Sequence, residues 1–371
     1  MNITPKDRRL KFLFVLGIVI IVSIICVLMF GFDTNVDKQQ ATIGFVIIGD
    51  ETDTHFNELQ YINIKSACED ANVRYLIERN VKKDAVDCKE AVKRLVKNGA
   101  GMIFISSYSY AAPLKNISRE YPHIAFATNS TDYQSKNMSS YFVRMYQGRF
   151  LAGAIAGLRT KTNVIGYVAA ISNSEVNLDI NAFALGVQQT NPKAKVLVMW
   201  TGSWHNPTKE AANTERLIKD FKADVITYHQ DDKTVADTAE KLNVDFIGYN
   251  DDFNTDDYSD HLLTSIVCRW DIYYRNVIQD YLKNEINAMD NNWLDINTGT
   301  VLLTNYSDAI TSDMHIKIEA LRQQITNGRN IFSGLIYDNE GSRRCVEDET
   351  ISDDALLKKT NWLVKGVEVI E

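Results

Sequence analysis

Phe142–Ala170 reads FVRMYQGRFLAGAIAGLRTKTNVIGYVAA. Gly148, Ala152 and Ala156 recur every four residues, and Gly153 and Gly157 form a neighbouring row. Residues four apart share one helix face, so this helix presents small side chains that let another backbone come close. Thr160–Asn163 is a polar break, and Val164–Val168 is an apolar run of strand type. The stretch reads as the end of one lobe, a connecting helix over 142–161, and the first strand of a second lobe.

The chain on either side of it follows one plan. Apolar runs begin near Thr42, Val73, Gly101 and Ile124, and again near Asn163, Ala194, Ala223 and Val244. The offsets are 121, 121, 122 and 120 residues, with helix-length segments between. A repeat of this kind, with strands and helices alternating, predicts two βαβαβαβ units, each with a parallel sheet. Ligands of such sheets sit beyond the carboxyl ends of the strands, so a cleft between the lobes is expected.

The 371 residues are too many for one ordinary core and fit two lobes. Hydrophobic residues make up 45% and charged residues 24%, which is the usual balance for a globular chain. The net charge of −8 argues against a nucleic-acid partner. Five prolines and no low-complexity tract argue against long disordered linkers. Five cysteines show no CxxC or metal-ligand spacing. Cys68 and Cys88 fall on successive helices, where a pairing can be imagined, but scattered buried thiols are the simpler reading.

Residues 1–9 carry Lys6, Arg8 and Arg9, and 10–32 form a nearly unbroken apolar run. Phe12–Phe32 holds no charge and is long enough to cross a bilayer, which takes about 20 residues. The flanking charges put the N-terminus inside and the rest outside. The run exceeds the apolar core of a usual signal peptide, and Cys26 follows Ser23-Ile24-Ile25, a poor lipidation context. An uncleaved anchor is therefore expected, with 1–9 cytoplasmic, 33–40 as a tether, and a single-pass cell-membrane protein whose remaining chain is extracytoplasmic.

Site candidates come from the predicted strand ends. Aromatic Phe56, Tyr108 and Trp204 fall there, with the short polar groups Asp53, Asn57, Asn129, Asp231, Asn250 and Asp252. An apolar cleft with a few placed polar groups suits a small molecule. Each has a plainer role: Asp53 caps the next helix, Asn250 and Asp252 serve a turn, Tyr108 and Trp204 cover a lobe. Asp50, Glu51, Asp53 and His55 are acidic enough to raise a metal site, but nothing more than composition supports one. Asp252-x-Asn254-x-Asp256 starts like a calcium loop, then fails with Asp257 at position six and Leu263 at position twelve.

After Asp260, the run 261–270 reads as a strand crossing back to the first lobe, followed by a helix to about Asn287, and Thr300–Leu303 crosses again. Three crossings make a hinge that permits closure on a ligand. The expected lobes are 41–143 with 264–300, and 144–263 with about 301–334. The C-terminal extension, 335–371, holds a hairpin around Asp338–Gly341 and a short helix capped by Ser352.

Taken together, YFVRMYQGRFLAGAIAGLRTKTNVIGYVAA, MWTGSWHNPTKEAANTERLIKDFKADVI, FIGYNDD and HLLTSIVCRWDIYY resemble the basic membrane protein family of substrate-binding proteins for ABC importers, which includes purine nucleoside receptors. The tail, with GLIYDNEG, ISDDALL and NWLVKGV, resembles a branch whose expected ligands are free purine bases. The resemblance spans about residues 42–370 and implies a type I periplasmic-binding fold, without a cofactor, delivering a purine-like solute to permease and ATPase subunits. It implies ligand contact by Phe56 and Asn57 and stacking of a base on Trp204. His229 and Asp231 match the base-binding branch. Where nucleoside-binding members hold an acid and a lysine on ribose, this chain has Asn250 and Cys268. Their base-reading aspartate is replaced by Ser130 or Asn129. A free base is thereby favoured over a nucleoside.

A ligand sensor on the same fold, signalling to a partner without transport, is the alternative function. A nucleoside hydrolase would need an acid–base pair, for which Asp53 with His55 or His229 with Asp231 are the choices. No GxSxG, P-loop, HExxH or GxGxxG is present, so catalysis is not expected.

Overall fold

The computed structural model describes residues 41–50, 55–130, 133–250, 258–259, 261–286 and 291–371. The expected anchor over 10–32, together with Asp53 and Asp252, lies outside the described residues. Among the described residues, no helix is long and apolar enough to cross a membrane.

The first half runs β1 (Thr42–Val46), α1 (His55–Ala71), β2 (Arg74–Glu78), α2 (Ala85–Lys97), β3 (Met102–Ile105), two one-turn helices α3 (Ala111–Leu114) and α4 (Ile117–Glu120), β4 (Ala125–Asn129) and β5 (Met138–Val143). The second half opens with α5 (Met145–Arg159) and continues β6 (Val164–Ala169), α6 (Ser174–Thr190), β7 (Lys195–Trp200), α7 (Pro207–Lys219), β8 (Val225–His229), α8 (Thr234–Lys241), β9 (Asp245–Tyr249) and β10 (Leu262–Cys268). Then come α9 (Trp270–Lys283), β11 (Asn291–Leu294), β12 (Val301–Leu303) and α10 (Ser312–Thr326). The tail adds β13 (Ile336–Tyr337), β14 (Arg343–Cys345), α11 (Asp353–Lys359) and β15 (Val367–Val369).

Besides a separate two-stranded sheet of β13 and β14, two large sheets result, in the orders β11-β5-β4-β3-β1-β2 and β12-β10-β9-β8-β6-β7-β15. Their first five strands share the parallel order 2-1-3-4-5. All five residues of β1 are buried, as expected for a strand covered on both faces. The α/β expectation of two repeated lobes is thus met, and the repeat reaches further than four strands. β5 and β10 start at Met138 and Leu262, 124 residues apart, and a helix follows each.

Two corrections follow. Leu262–Cys268 does not cross to the first lobe. It pairs with β9 inside the second sheet, so the share of the first lobe expected from residue 264 begins after Cys268. The extension over 335–371 is not an appendage either, because β15 pairs with β7 and completes that sheet's edge.

The chain crosses between the sheets at Arg144, at Arg269 and over 295–300. The first two crossings are near-copies. The Arg144 N–H donates to the Leu294 carbonyl at 2.7 Å, and the Arg269 N–H to the Thr300 carbonyl at 2.8 Å. Each crossing hands a helix to the other lobe. α5 follows the first sheet but packs on α6, where a Cβ on Gly153 would come 1.9 Å from the Phe183 carbonyl oxygen. Only glycine allows that approach, and Gly186 mirrors it against the Phe150 carbonyl. α9 follows the second sheet but packs on α1, with the Asp271 N–H donating to Asn63 Oδ1 (2.8 Å) and a Tyr274–Gln60 side-chain bond (2.8 Å). Tyr274 also meets Phe45 and Phe104 edge-on, in the core of the first lobe.

Cys68, Cys88, Cys268 and Cys345 are buried and free, so Cys68 and Cys88 do not pair. Burial pushes their thiols up, to about 12 and about 11.

A cleft between the lobes

Parallel strands with one shared order put their carboxyl ends on one side, and two such sheets joined by a hinge turn those ends toward each other. A cavity of about 380 Å³ lies there, lined from both lobes. Phe56 on α1, Ser106 and Tyr108 after β3, and Asn129 at the end of β4 come from the first lobe. The second lobe supplies Glu175 and Asp179 on α6, Trp204 after β7, His229 and Asp231 at the end of β8, and Tyr249 and Asn250 after β9. Cys268 and Trp270, on either side of the Arg269 crossing, also line it.

Of the residues singled out from sequence, Phe56, Tyr108, Asn129, Trp204, His229, Asp231 and Asn250 all line this cavity. Tyr108 is half exposed and meets Phe142 edge-on. Asn57 is buried on α1 beside Phe56 and is not in the wall. Ser130 stands behind the wall, fully buried, its N–H donating to the Tyr141 carbonyl at 3.0 Å and its Oγ accepting from the Tyr133 N–H.

Local chemistry fixes the wall of the second lobe. Asn173 caps α6 through Oδ1, which accepts from the Val176 N–H at 2.9 Å. That cap sets Glu175 and Asp179 one turn apart at the helix start. Asn206 caps α7 in the same way, with Pro207 in the first turn, and ends the loop that carries Trp204. The Asp231 N–H donates to the Trp204 carbonyl at 2.9 Å, and Gln230 donates to Thr201 Oγ1 at 2.9 Å, so the ends of β7 and β8 are tied together. Trp204, His229 and Tyr249 form an edge-to-face series, with centroids 5.4 and 4.5 Å apart. Asn250 takes φ of +55°, a left-handed turn residue that Asn tolerates well.

Two residues of the lining, one from each lobe, carry a buried acceptor. Asn129 Oδ1 and Asn250 Oδ1 have no hydrogen-bond partner among the described residues, although Asn129 donates through Nδ2 to the Ser106 carbonyl at 3.3 Å. Such atoms cost stability unless something donates to them. The acids add to this acceptor character. Glu175 is exposed at the cleft; the protein around it, with Asp179 and Asp231, raises its carboxyl against the pull of Arg149. Burial raises Asp179 to about 6, again with Arg149 opposing. Burial and then Arg149 hold His229 well below its ordinary range, so it is neutral at physiological pH. Among the described residues, no group of three or more metal-ligating side chains is assembled.

Sequence reading missed Glu175, Asp179, Tyr249 and the fully buried Arg149. A signal for Arg149 was available: it is a lone cation inside the small and apolar run of α5.

Four similarities bear on this arrangement. The chain is 30% identical over 336 residues to a purine-binding protein of Brucella abortus (strain 2308), covering 89% of this chain and 94% of that one. It is 29% identical over 289 residues to a protein of Haloferax volcanii named as a glucose-binding component of an ABC transporter, covering 76% and 69%. The solved structure of an ABC transporter solute-binding protein from Conexibacter woesei superposes with a TM-score of 0.67 at 16% identity, covering 78% of this chain and 97% of that one, which supports the fold. The model of PnrA-like ABC transporter substrate-binding proteins matches residues 40–334. With that match over most of its length, the chain belongs to the PnrA-like family of ABC transporter substrate-binding proteins.

Proposed function

We propose that this protein is an extracytoplasmic receptor, anchored by residues 10–32, that holds a purine base between its lobes and passes it to an importer's permease and ATPase. The observation that carries this reading is the make-up of the cavity, with aromatic Phe56 and Trp204 on opposite lobes and buried acceptors on both walls. A purine has flat faces for the rings and N–H groups on its rim for the acceptors. The identity with the Brucella purine-binding protein supports the ligand class. Asn250 and Cys268, neither charged at neutral pH, leave little to grip a ribose, which favours a base over a nucleoside.

The test is calorimetric titration and thermal shift of the full chain in detergent with adenine, guanine, hypoxanthine, xanthine, their nucleosides and glucose. A ligand at about 100 times its Kd adds roughly 2.7 kcal/mol, enough to raise Tm by several degrees. Binding of a base, weaker binding of its nucleoside, and loss of both in Trp204→Ala are expected. Silence across the purines would remove that class, and a response to glucose alone would put a sugar in its place.

A further inference from the structure

Arg149 lies beneath the cleft without lining it. Its Nε is 3.1 Å from Asp179 Oδ2, and its Nη1 donates to the Tyr228 carbonyl at 2.9 Å. The guanidinium carbon sits 3.9 Å from the centroid of the Tyr249 ring. Nη2 is buried with no hydrogen-bond partner among the described residues. The two groups that Arg149 holds, Asp179 and Tyr249, both line the cavity, and both touch His229. Its Nδ1 lies 3.5 Å from Asp179 Oδ2, and its ring is 4.5 Å from that of Tyr249.

We propose that Arg149 is a positioning residue: through Asp179 and Tyr249 it fixes the His229 imidazole so that Nε2 faces the ligand as an acceptor for an N–H. This rests on the reading of the cleft as the site of a purine-like ligand. Nδ1 is buried and makes no hydrogen bond among the described residues, so it is the charge of the Asp179 carboxylate, 3.5 Å away, that draws the single proton of a neutral imidazole there and leaves Nε2 bare. The charged and titratable groups around His229 are Asp179 from α6, Arg149 from α5 and Tyr249 from β9, with Glu175 and Asp231 in the same cavity wall. Three of the five are acids, and where ionised their field favours an imidazolium. Burial and the Arg149 cation oppose them and win. Without Arg149 burial alone opposes the acids, so the titration of His229 moves up toward neutral pH. Where His229 charges, Nε2 becomes a donor, and the site loses an acceptor that an N–H edge needs.

The test reads His229 directly by nitrogen-15 NMR of the imidazole in the full chain without ligand. The wild type is expected to show a ring that is neutral down to about pH 5 and protonated on Nδ1 where Asp179 is ionised, above about pH 6. Arg149→Met is expected to bring the titration of His229 to near neutral pH, and Arg149→Lys to restore most of the wild-type behaviour. Asp179→Asn, which removes the carboxylate instead of the cation, is expected to abolish the preference for Nδ1. Calorimetry with adenine then gives the consequence: the ratio of Kd for Arg149→Met to that of wild type rises about tenfold between pH 8 and about pH 5.5. A wild-type ring protonated on Nε2, an ordinary titration of His229, or an Arg149→Met variant whose affinity falls equally at every pH would each overturn the proposal. Should Arg149→Met fail to fold, the Lys and Asn variants carry the same readouts. Adenine failing to bind wild type sinks the ligand class, and the NMR readings still decide the role of Arg149.

Discussion

The two walls of the cleft are built on one topology and carry different chemistry. The first lobe offers Phe56, Tyr108 and Phe142 with Ser106 and Asn129, mostly rings and neutral polar groups, and one cation, Lys83. The second offers Glu175, Asp179, His229 and Asp231, backed by a buried arginine. Both walls follow the strand order 2-1-3-4-5, so the backbone does not account for the difference. Side chains at the strand ends do. On the reading proposed above, Phe56 and Trp204 put a ring on each of two facing shelves for the ligand's faces, and the second shelf adds the charged groups that read its edge.

The largest effect tests what that charged wall costs. Asp179→Asn leaves Arg149 as a buried cation without its counter-charge. Breaking a buried pair from one side costs about 3–5 kcal/mol, so the unfolding midpoint in guanidinium should fall sharply. A loss under about 1 kcal/mol would mean that the second wall is no more costly than the first, and the comparison would break.

The division between face and edge is sharpened by a pair of variants. Asp231→Asn should reorder the affinities of adenine, guanine and hypoxanthine by roughly 1–3 kcal/mol, because a charged acceptor gains a donor. Phe56→Ala should weaken all of them alike, by about 1 kcal/mol for a lost stack. Calorimetry on the same bases separates the two. Reordering by Phe56→Ala would show that the first wall also reads edges.

The smallest effect is in the pH dependence of stability. Glu210 is fully buried on α7, with Oε1 accepting from the Asn206 N–H at 2.6 Å, and burial and then neighbouring Asp232 push its carboxyl up to about 8. An acid whose pKa is raised by folding keeps its full contribution below its ordinary value of 4.5 and loses it as pH climbs toward about 8. The Tm of wild type relative to Glu210→Gln should therefore decline by a few degrees between about pH 5 and pH 8. A flat difference would show that the Gln variant keeps the same proton inventory and that the Trp204 loop rests on no titrating acid.

Much of this architecture was legible in the sequence. Four strand starts in each half set the repeat, because buried parallel strands are short apolar runs between helices of similar length. The fifth pair escaped: β5 reads MSSYFV, with serines where an apolar run was sought, and β10 follows a long polar segment that hid its partner β9. Membership of β15 in the second sheet is a contact between residues about 170 apart in sequence, which no local pattern encodes. The site divides in the same way. Trp204, His229, Asp231 and Asn250 were legible because the carboxyl ends of strands are known places for ligands. Arg149 was overlooked although its setting among alanines and glycines marks it, because its partner Asp179 lies 30 residues away in sequence.

The exchange of α5 and α9 has a consequence for assembly. A single repeat ending after its own last helix would leave one face of its sheet bare and that helix without a seat. Two such repeats set about a two-fold axis would each seat the other's helix and close both sheets. In these terms the monomer has the contact pattern of a domain-swapped dimer whose two subunits have been joined into one chain. Severing that join at Thr160–Asn163 would not release two independent lobes, since each would still be holding a helix that belongs, by sequence, to the other.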